Sequence, residues 1–287
     1  TEIYEAISKM IEDGFDVHHT CVTLGVSRSA YYARQSGITG KNNIKHLSLK
    51  PLVFDIFKQH RRRYGARRIA SEMKELGEPC SRGKVRKIMV EMELNAIQPR
   101  SFKPRTTNSR HTLGFSPNLL LAGVAVTRVN QVWVGDITYI PLTSQFAYLA
   151  VLMDRYSRKI VGWCIELSMD EGLVIAALKQ AIKARQPSPK LIHHTDRGGQ
   201  YASIEYRKLL ARAQMQQSMS RAGDCYDNAY MESCFGTLKT ELEISSYDDL
   251  SQARREIANY INYYNTLRRH SSLDNQSPNR FEFHLTN

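Results

Sequence analysis

No run of about 18 apolar residues occurs in the 287-residue chain, so no membrane-spanning helix is expected. No charged-then-apolar leader opens it, so no secretory signal is expected. The chain begins at Thr1 rather than Met, as a processed, fused or trimmed segment would. Cysteine is scarce. Cys21, Cys80, Cys164, Cys225 and Cys234 form an odd, scattered set, which argues against a disulfide framework and for reduced thiols in the cytoplasm or nucleoid. There is no Cys-x-x-Cys pair. His18, His19 and Cys21 lie close together, but a solvated histidine pair beside a buried thiol is the preferred reading over zinc. Internal repeats and low-complexity segments are absent, and no sustained heptad precedes residue 130. With 42% hydrophobic and 24% charged residues, the composition excludes a disordered chain, and the length suggests about two domains.

Acids are also in deficit, and unevenly. The net charge is +12. Residues 1–112 hold 21 Lys and Arg against 11 Asp and Glu, whereas residues 113–287 hold 19 against 17. The front therefore reads as a polyanion-binding part, or as a merely soluble basic domain, and the back as a mixed-charge globular one.

Along the front, residues 1–38 contain a small helical unit. A helix through Cys21-Val-Thr-Leu24, a turn at Gly25 and a Ser27 N-cap precede a second helix at Arg28-Ser-Ala-Tyr-Tyr32. The spacing fits a helix-turn-helix that could present Arg28 to DNA, and equally a hairpin held only by packing. Residues 37–47 are polar, with Gly37, Gly40 and Asn42-Asn43, and read as a linker. Residues 45–98 read as a second helical module. One of its helices carries Arg67 and Arg68 and stops at Gly77 and Pro79. The next, capped by Ser81, carries Arg82, Lys84, Arg86 and Lys87. That is a second DNA-reading unit or a solvated basic face. Residues 99–126 read as a linker. Its stretch 99–112 holds Arg100, Lys103, Arg105 and Arg110, two prolines and no acid, which suits a strap along a phosphate backbone.

From residue 127 the pattern changes. Three β-rich runs at 133–140, 148–153 and 159–165 are joined by short turns, as in an antiparallel meander. A helix over 171–185, a strand over 191–195, a helix over 204–213 and a strand over 216–219 follow. This order is an α/β mixed five-stranded sheet that resembles the ribonuclease H fold, with the core spanning 127–245. A final helix over 249–265 and the basic patch Arg268-Arg269-His270 occupy the last segment, 246–287.

Three carboxylates draw attention in this frame. Asp136 lies within the first strand, Asp196 ends the fourth, and Glu232 follows 35 intervening residues later on a helical stretch opened by Asp227. If the first and fourth strands are neighbours, the two aspartates converge, and Glu232 must arrive on a crossing helix. Such acids repel one another unless a divalent cation lies between them. A hard-oxygen cage of this kind suits Mg²⁺ or Mn²⁺, and a pair of ions suits in-line attack on a phosphodiester. Asn228, Gly236 and Lys239 share the face of Glu232. Gly236 fits close passage of a DNA strand or close helix packing. Lys239 fits a phosphate contact or a plain surface lysine. Asp154, Asp170 and Asp224 compete for the metal roles, although turn or cap duty is their default.

The surrounding motifs are more specific. Trp133-Val-Gly-Asp136-Ile-Thr-Tyr-Ile140, Asp154-Arg-Tyr-Ser-Arg-Lys-Ile-Val-Gly-Trp163, His194-Thr-Asp196-Arg-Gly-Gly-Gln-Tyr201, the stretch from Ser218 to Glu232, and Tyr263-Tyr-Asn265 through Arg268-Arg269-His270 to Ser277-Pro278 together resemble the insertion-sequence transposases of the IS3 type, within the retroviral-integrase superfamily. The resemblance covers residues 133–283, and less specifically residues 14–100. It implies a DDE triad at Asp136, Asp196 and Glu232, and a basic residue at Lys239. Gly135 stands where Thr is common, Thr195 replaces Ser, and Gly199 also stands in place of Ser. None of these is a ligand.

The resemblance further implies 3′-end cleavage and strand transfer at terminal inverted repeats, work on double-stranded DNA as a dimer or larger homo-oligomer, and a link to an upstream product. Arg28, Arg67, Arg68, Arg82, Lys84, Arg86, Arg100, Lys103, Arg105, Asn228, Lys239, Arg268 and Arg269 are the candidate DNA contacts. The alternative is a non-catalytic end-binding regulator of a full-length transposase. A structure-selective nuclease is a further rival, disfavoured by the two front modules.

Overall fold

The computed structural model describes residues 2–36, 38–98, 114–121, 123–221, 229–244 and 246–286. It divides into two compact units, Thr1–Ala96 and Ile97–Asn287.

The first unit is helical among its described residues. Helices α1 (Glu2–Glu12), α2 (Val17–Thr23) and α3 (Arg28–Gln35) enclose a small core of Ile7, Cys21 and Tyr31. The expected cap is present: Ser27 Oγ accepts from the Ala30 amide at 3.2 Å. Gly25 makes the preceding turn at φ +66°, a conformation that costs glycine little. Helices α4 (Ile38–Gln59), α5 (Ala66–Glu75) and α6 (Arg82–Glu91) build a second core from Val53, Ile56, Tyr64, Ile69, Met73, Val85 and Ile88. Ser81 caps α6, accepting from the Lys84 amide at 3.2 Å.

Two sequence expectations change here. Helix α1 lies ahead of the two helices expected within residues 1–38, and its Ile7 supplies a third of that core. The supposed linker over 37–47 lies largely inside α4. Gly40 costs a helix only about 1 kcal/mol relative to Ala, and the asparagines less, too little to break one continued by the apolar turns that follow.

In the second unit, strands β1 (Val132–Pro141), β2 (Phe146–Asp154) and β3 (Ile160–Glu166) form the expected meander. Strands β4 (Ile192–Thr195) and β5 (Gln216–Met219) join in parallel, giving the order β3-β2-β1-β4-β5. Helices α7 (Glu171–Arg185), α8 (Gly199–Ala202) and α9 (Ile204–Arg212) belong to one face, where Trp133, Leu152, Val174, Leu178 and Tyr206 make one core. Helices α10 (Ala229–Glu241) and α11 (Leu250–Thr266) cover the other, where Val134, Leu149, Phe235, Leu238 and Ile257 make the second. Residues 114–121 lie beside β5. Ser116 donates to Gln217 at 2.8 Å, and the Leu119 amide donates to Ser218 Oγ at 2.9 Å, shielding an edge strand. A closing helix, α12 (Pro278–Thr286), was not anticipated. Its Glu282 receives Arg185 at 2.7 and 2.9 Å, Lys159 at 3.2 Å and Ser157 at 2.7 Å.

His193 is fully buried on β4, 2.6 Å from the Tyr206 hydroxyl. Burial, then the neighbouring His194, holds its pKa down at about 3, against 6.5 for an ordinary imidazole. The folded chain therefore keeps His193 neutral while the unfolded chain protonates below pH 6.5. Its stabilising contribution is complete above that pH and is lost as pH falls toward 3. Between pH 6.5 and 5 the loss is about 1.5–2 kcal/mol. Urea midpoints measured across that window should fall for the parent and fall less for His193→Gln; equal slopes would refute the assignment.

Candidate active site

Asp136 and Asp196 come to one place because β1 and β4 are parallel neighbours. Trp133 pairs with His193 and Val134 with His194, so the two chains run together toward the aspartates. Both acids are half-buried. Each uses one carboxylate oxygen locally: Asp136 accepts from the Ile137 amide at 2.8 Å, and Asp196 from the Gly198 amide at 2.9 Å. Their proximity also registers on a third group. Tyr201 is fully buried, and its hydroxyl pKa is raised well above 10, first by burial and then by the charges of Asp136, Tyr206 and Asp196. Tyr201 was not singled out from sequence, although it lies five residues after Asp196 in the quoted motif.

Gly135 has a local reason. A Cβ at that position would stand 2.9 Å from His193 Cε1, so the buried imidazole occupies the room a larger residue would need. This glycine and His193 form a matched pair beneath the site.

Glu232 stands in the first turn of α10 and is exposed. Its neighbours Met231, Cys234, Phe235 and Leu238 bury the other side of the helix against the sheet. Among the described residues, Glu232 does not close with Asp136 and Asp196 into a group of three able to hold a metal ion. Gly236, on the same helix, is exposed, and a Cβ there would meet nothing within 4 Å. Tight helix packing therefore does not account for it among the described residues. Lys239 is half-buried rather than a plain surface lysine: its Nζ lies 4.1 Å from the centre of the Tyr139 ring, and burial lowers its pKa.

The competing acids have structural duties. Asp154 is fully buried, and its carboxylate accepts the amides of Asn130, Tyr156 and Ser157 at 2.6, 2.9 and 3.0 Å. Asp170 caps α7.

The basic candidates separate sharply. In the first unit Arg28, Arg67, Arg82 and Arg86 are exposed, Lys84 is half-buried, and Arg68 is half-buried 5.5 Å over the Tyr64 ring. Arg100, Lys103, Arg105 and Asn228 lie outside the described residues, as do Asp224 and Asp227. Arg268 and Arg269, expected in a basic surface patch, are instead only 5% exposed. Arg268 contacts Glu241 through Nε at 3.0 Å and Nη2 at 2.8 Å, and Arg269 donates to the Asn275 carbonyl at 2.9 Å. Both guanidinium groups are committed to internal partners, so neither is an exposed cation of the surface patch expected. Charge read along the sequence cannot reveal that an acid 27 residues away meets Arg268.

An aromatic-cationic contact flanks Asp196. Arg197 donates to the Ser220 carbonyl at 2.8 Å, and its guanidinium lies 4.7 Å over the Phe115 ring.

The chain also has relatives among known proteins. Residues 126–225 and 213–278 match two models described as integrase core domain, and residues 46–102 match an HTH-like domain. The chain is 40% identical over 265 residues to the insertion element IS600 uncharacterized 31 kDa protein of Shigella sonnei, covering 91% of this chain and 96% of that protein. It is 41% identical to the transposase for insertion sequence element IS904 of Lactococcus lactis, covering 84% and 96%. To the transposase InsF for insertion sequence IS3A of Escherichia coli it is 35% identical, covering 93% and 94%. Solved structures resembling it include the HTLV-2 integrase catalytic core domain in complex with magnesium, 19% identical, covering 54% of this chain and 97% of that one with a TM-score of 0.44. No helix among the described residues is long and apolar enough to cross a membrane. A helical front with an HTH-like domain, an integrase core behind it, and relatives matched over most of both chains converge on one identity: the chain belongs to the IS3-type insertion-sequence transposases.

Proposed function

We propose that this chain carries out DNA transposition by metal-dependent 3′-end cleavage and strand transfer at the terminal inverted repeats of its element, with Asp136, Asp196 and Glu232 as the catalytic carboxylates. The observation that carries the reading is the convergence of Asp136, within β1, and Asp196, just past the end of the parallel neighbour β4, both acting on the buried Tyr201.

The donor set fits a hard cation. The two converging groups are carboxylates, and nearby His193 and His194 are fully buried, His193 bonded to Tyr206 and His194 to Ser218 at 2.8 Å. All-oxygen donors suit Mg²⁺ or Mn²⁺, one or two ions, better than zinc. When bound, such ions activate the attacking oxygen and stabilise the leaving one. Asp136 and Asp196 would hold them from the sheet and Glu232 from α10. Lys239, set on the same helix, would steady a phosphate oxygen.

The chemistry is two displacements at phosphorus. Water attacks the phosphodiester at the element's end and the bond to the 3′ oxygen breaks, leaving a free 3′-OH. That hydroxyl then attacks a second phosphodiester and displaces its 3′ oxygen. The exposed cations of the helical unit would select and hold the ends. A homo-oligomer, a dimer or larger, would pair them, alone or with an upstream product.

Labelled terminal-repeat duplex incubated with the full chain and Mg²⁺, with cleaved and joined strands resolved, tests this. Cleaved and joined products are expected. Binding without cleavage would favour an end-binding regulator, and cleavage without joining would favour a nuclease.

A further inference from the structure

Glu232 occupies the first turn of α10, where the backbone amides have no partner within the helix and the end is the least constrained part. Something outside the helix must set its position. On one side Met231 is fully buried in the sheet core. Beside it Tyr230, packed partly against the same core, lies under two guanidinium groups: Arg158 at 4.1 Å and Arg155 at 4.9 Å from the ring centre.

Those arginines stand on an unusually well-tied turn. The buried Asp154 carboxylate receives two amides of the turn, Tyr156 and Ser157, and that of Asn130 before β1, and the Arg158 amide donates to the Asp154 carbonyl at 2.9 Å. The Arg155 amide donates to Val132 at 2.9 Å, which ties the turn to β1, the strand that carries Asp136. Ser157 reaches Glu282 of α12 at 2.7 Å. A route of direct contacts therefore runs from the strand of Asp136, through the turn and the two guanidinium groups, to the ring two residues before Glu232.

We infer that Arg155 and Arg158 are positioning residues that hold the first turn of α10, and Glu232 with it, by gripping Tyr230. The inference rests on the reading of Glu232 as the third catalytic carboxylate. It assigns the two cations a task other than holding DNA. Placed over a ring face, they attract its electron-rich centre, and both also reach the Tyr230 hydroxyl, whose pKa they lower, Arg155 first; phenylalanine keeps only the ring contact and leucine neither.

The test uses the full chain with Tyr230→Leu, Tyr230→Phe and Arg158→Gln. Three quantities are read: single-turnover cleavage of prebound terminal-repeat DNA in Mg²⁺, affinity for those ends, and amide hydrogen exchange over residues 229–233. Tyr230→Leu and Arg158→Gln are expected to slow cleavage about 10- to 100-fold, as misplacement of a reacting group does. They should also speed exchange in that turn, with end affinity and melting temperature unchanged. Tyr230→Phe, which keeps the ring contact and loses the hydroxyl one, should cleave faster than Tyr230→Leu. Arg158→Gln that loses end affinity yet cleaves bound DNA normally would make the arginines phosphate contacts and overturn the proposal. So would a cleavage loss that merely follows a drop in melting temperature. Glu232→Gln, run alongside, separates the two ideas. Normal cleavage by Glu232→Gln overturns the assignment of Glu232 and the positioning role with it. An inactive Glu232→Gln beside a fully active Tyr230→Leu overturns the positioning role alone.

Discussion

Asp136→Asn and Asp196→Asn should each leave the chain folded and able to bind terminal-repeat DNA while cutting 3′-end cleavage by on the order of 10³-fold, about 4 kcal/mol of transition-state stabilisation. The change is nearly isosteric, and both side chains are only half-buried, so packing is spared. What is lost is one negative charge from a two-carboxylate cluster, and with it much of the attraction for a divalent cation. Burial is the larger cause of the raised Tyr201 pKa and both acids add to it, so each substitution should also lower it while burial keeps it above its ordinary value. A cleavage assay with prebound DNA separates this from an effect on binding. An Asp136→Asn variant that cleaves at the parent rate would remove the proposed site from these strands.

Arg268→Ala should produce the largest loss of stability in the second unit, about 3–5 kcal/mol. The side chains of Arg268 and Glu241 are each 7% exposed, and Glu241 also accepts from the Tyr260 hydroxyl at 3.1 Å. Removing the guanidinium strands a buried carboxylate between α10 and α11. A loss of that size is a large part of a typical domain's whole stability. The double variant Arg268→Met with Glu241→Gln removes both charges and leaves Tyr260 an acceptor, so it should lose much less than Arg268→Ala alone. The chain's two tryptophans, Trp133 and Trp163, both lie in the second unit, so urea unfolding followed by their fluorescence reports on this half. A surface role for Arg268 predicts a loss within about 0.5 kcal/mol instead.

Much of the architecture could be read from local pattern. Ser27, Ser81 and Asp170 act as helix caps because the cap bond spans only three residues. Strand β5 and helix α7 fall on the residues that alternation and periodicity indicated. Where local signals were weak, the reading failed. Gly40 and the paired asparagines suggested a break that the rest of α4 outweighs. Helix α12 is tied down in part by Glu282 meeting Arg185, a partner 97 residues away, which no window along the chain contains.

The site divides in the same way. Sequence by itself determined the acids, their order on strand, strand and helix, and the family motifs around them, because these are properties of residue type and spacing. Only the tertiary structure decided that β1 and β4 are neighbours, so that Asp136 and Asp196 share one place. It alone buried Arg268 and Arg269 among internal partners, set Lys239 against Tyr139, and placed Tyr230 under two arginines. Strand order, burial and ion pairing depend on residues far apart in the chain, and their energies exist only once folding has brought those residues together.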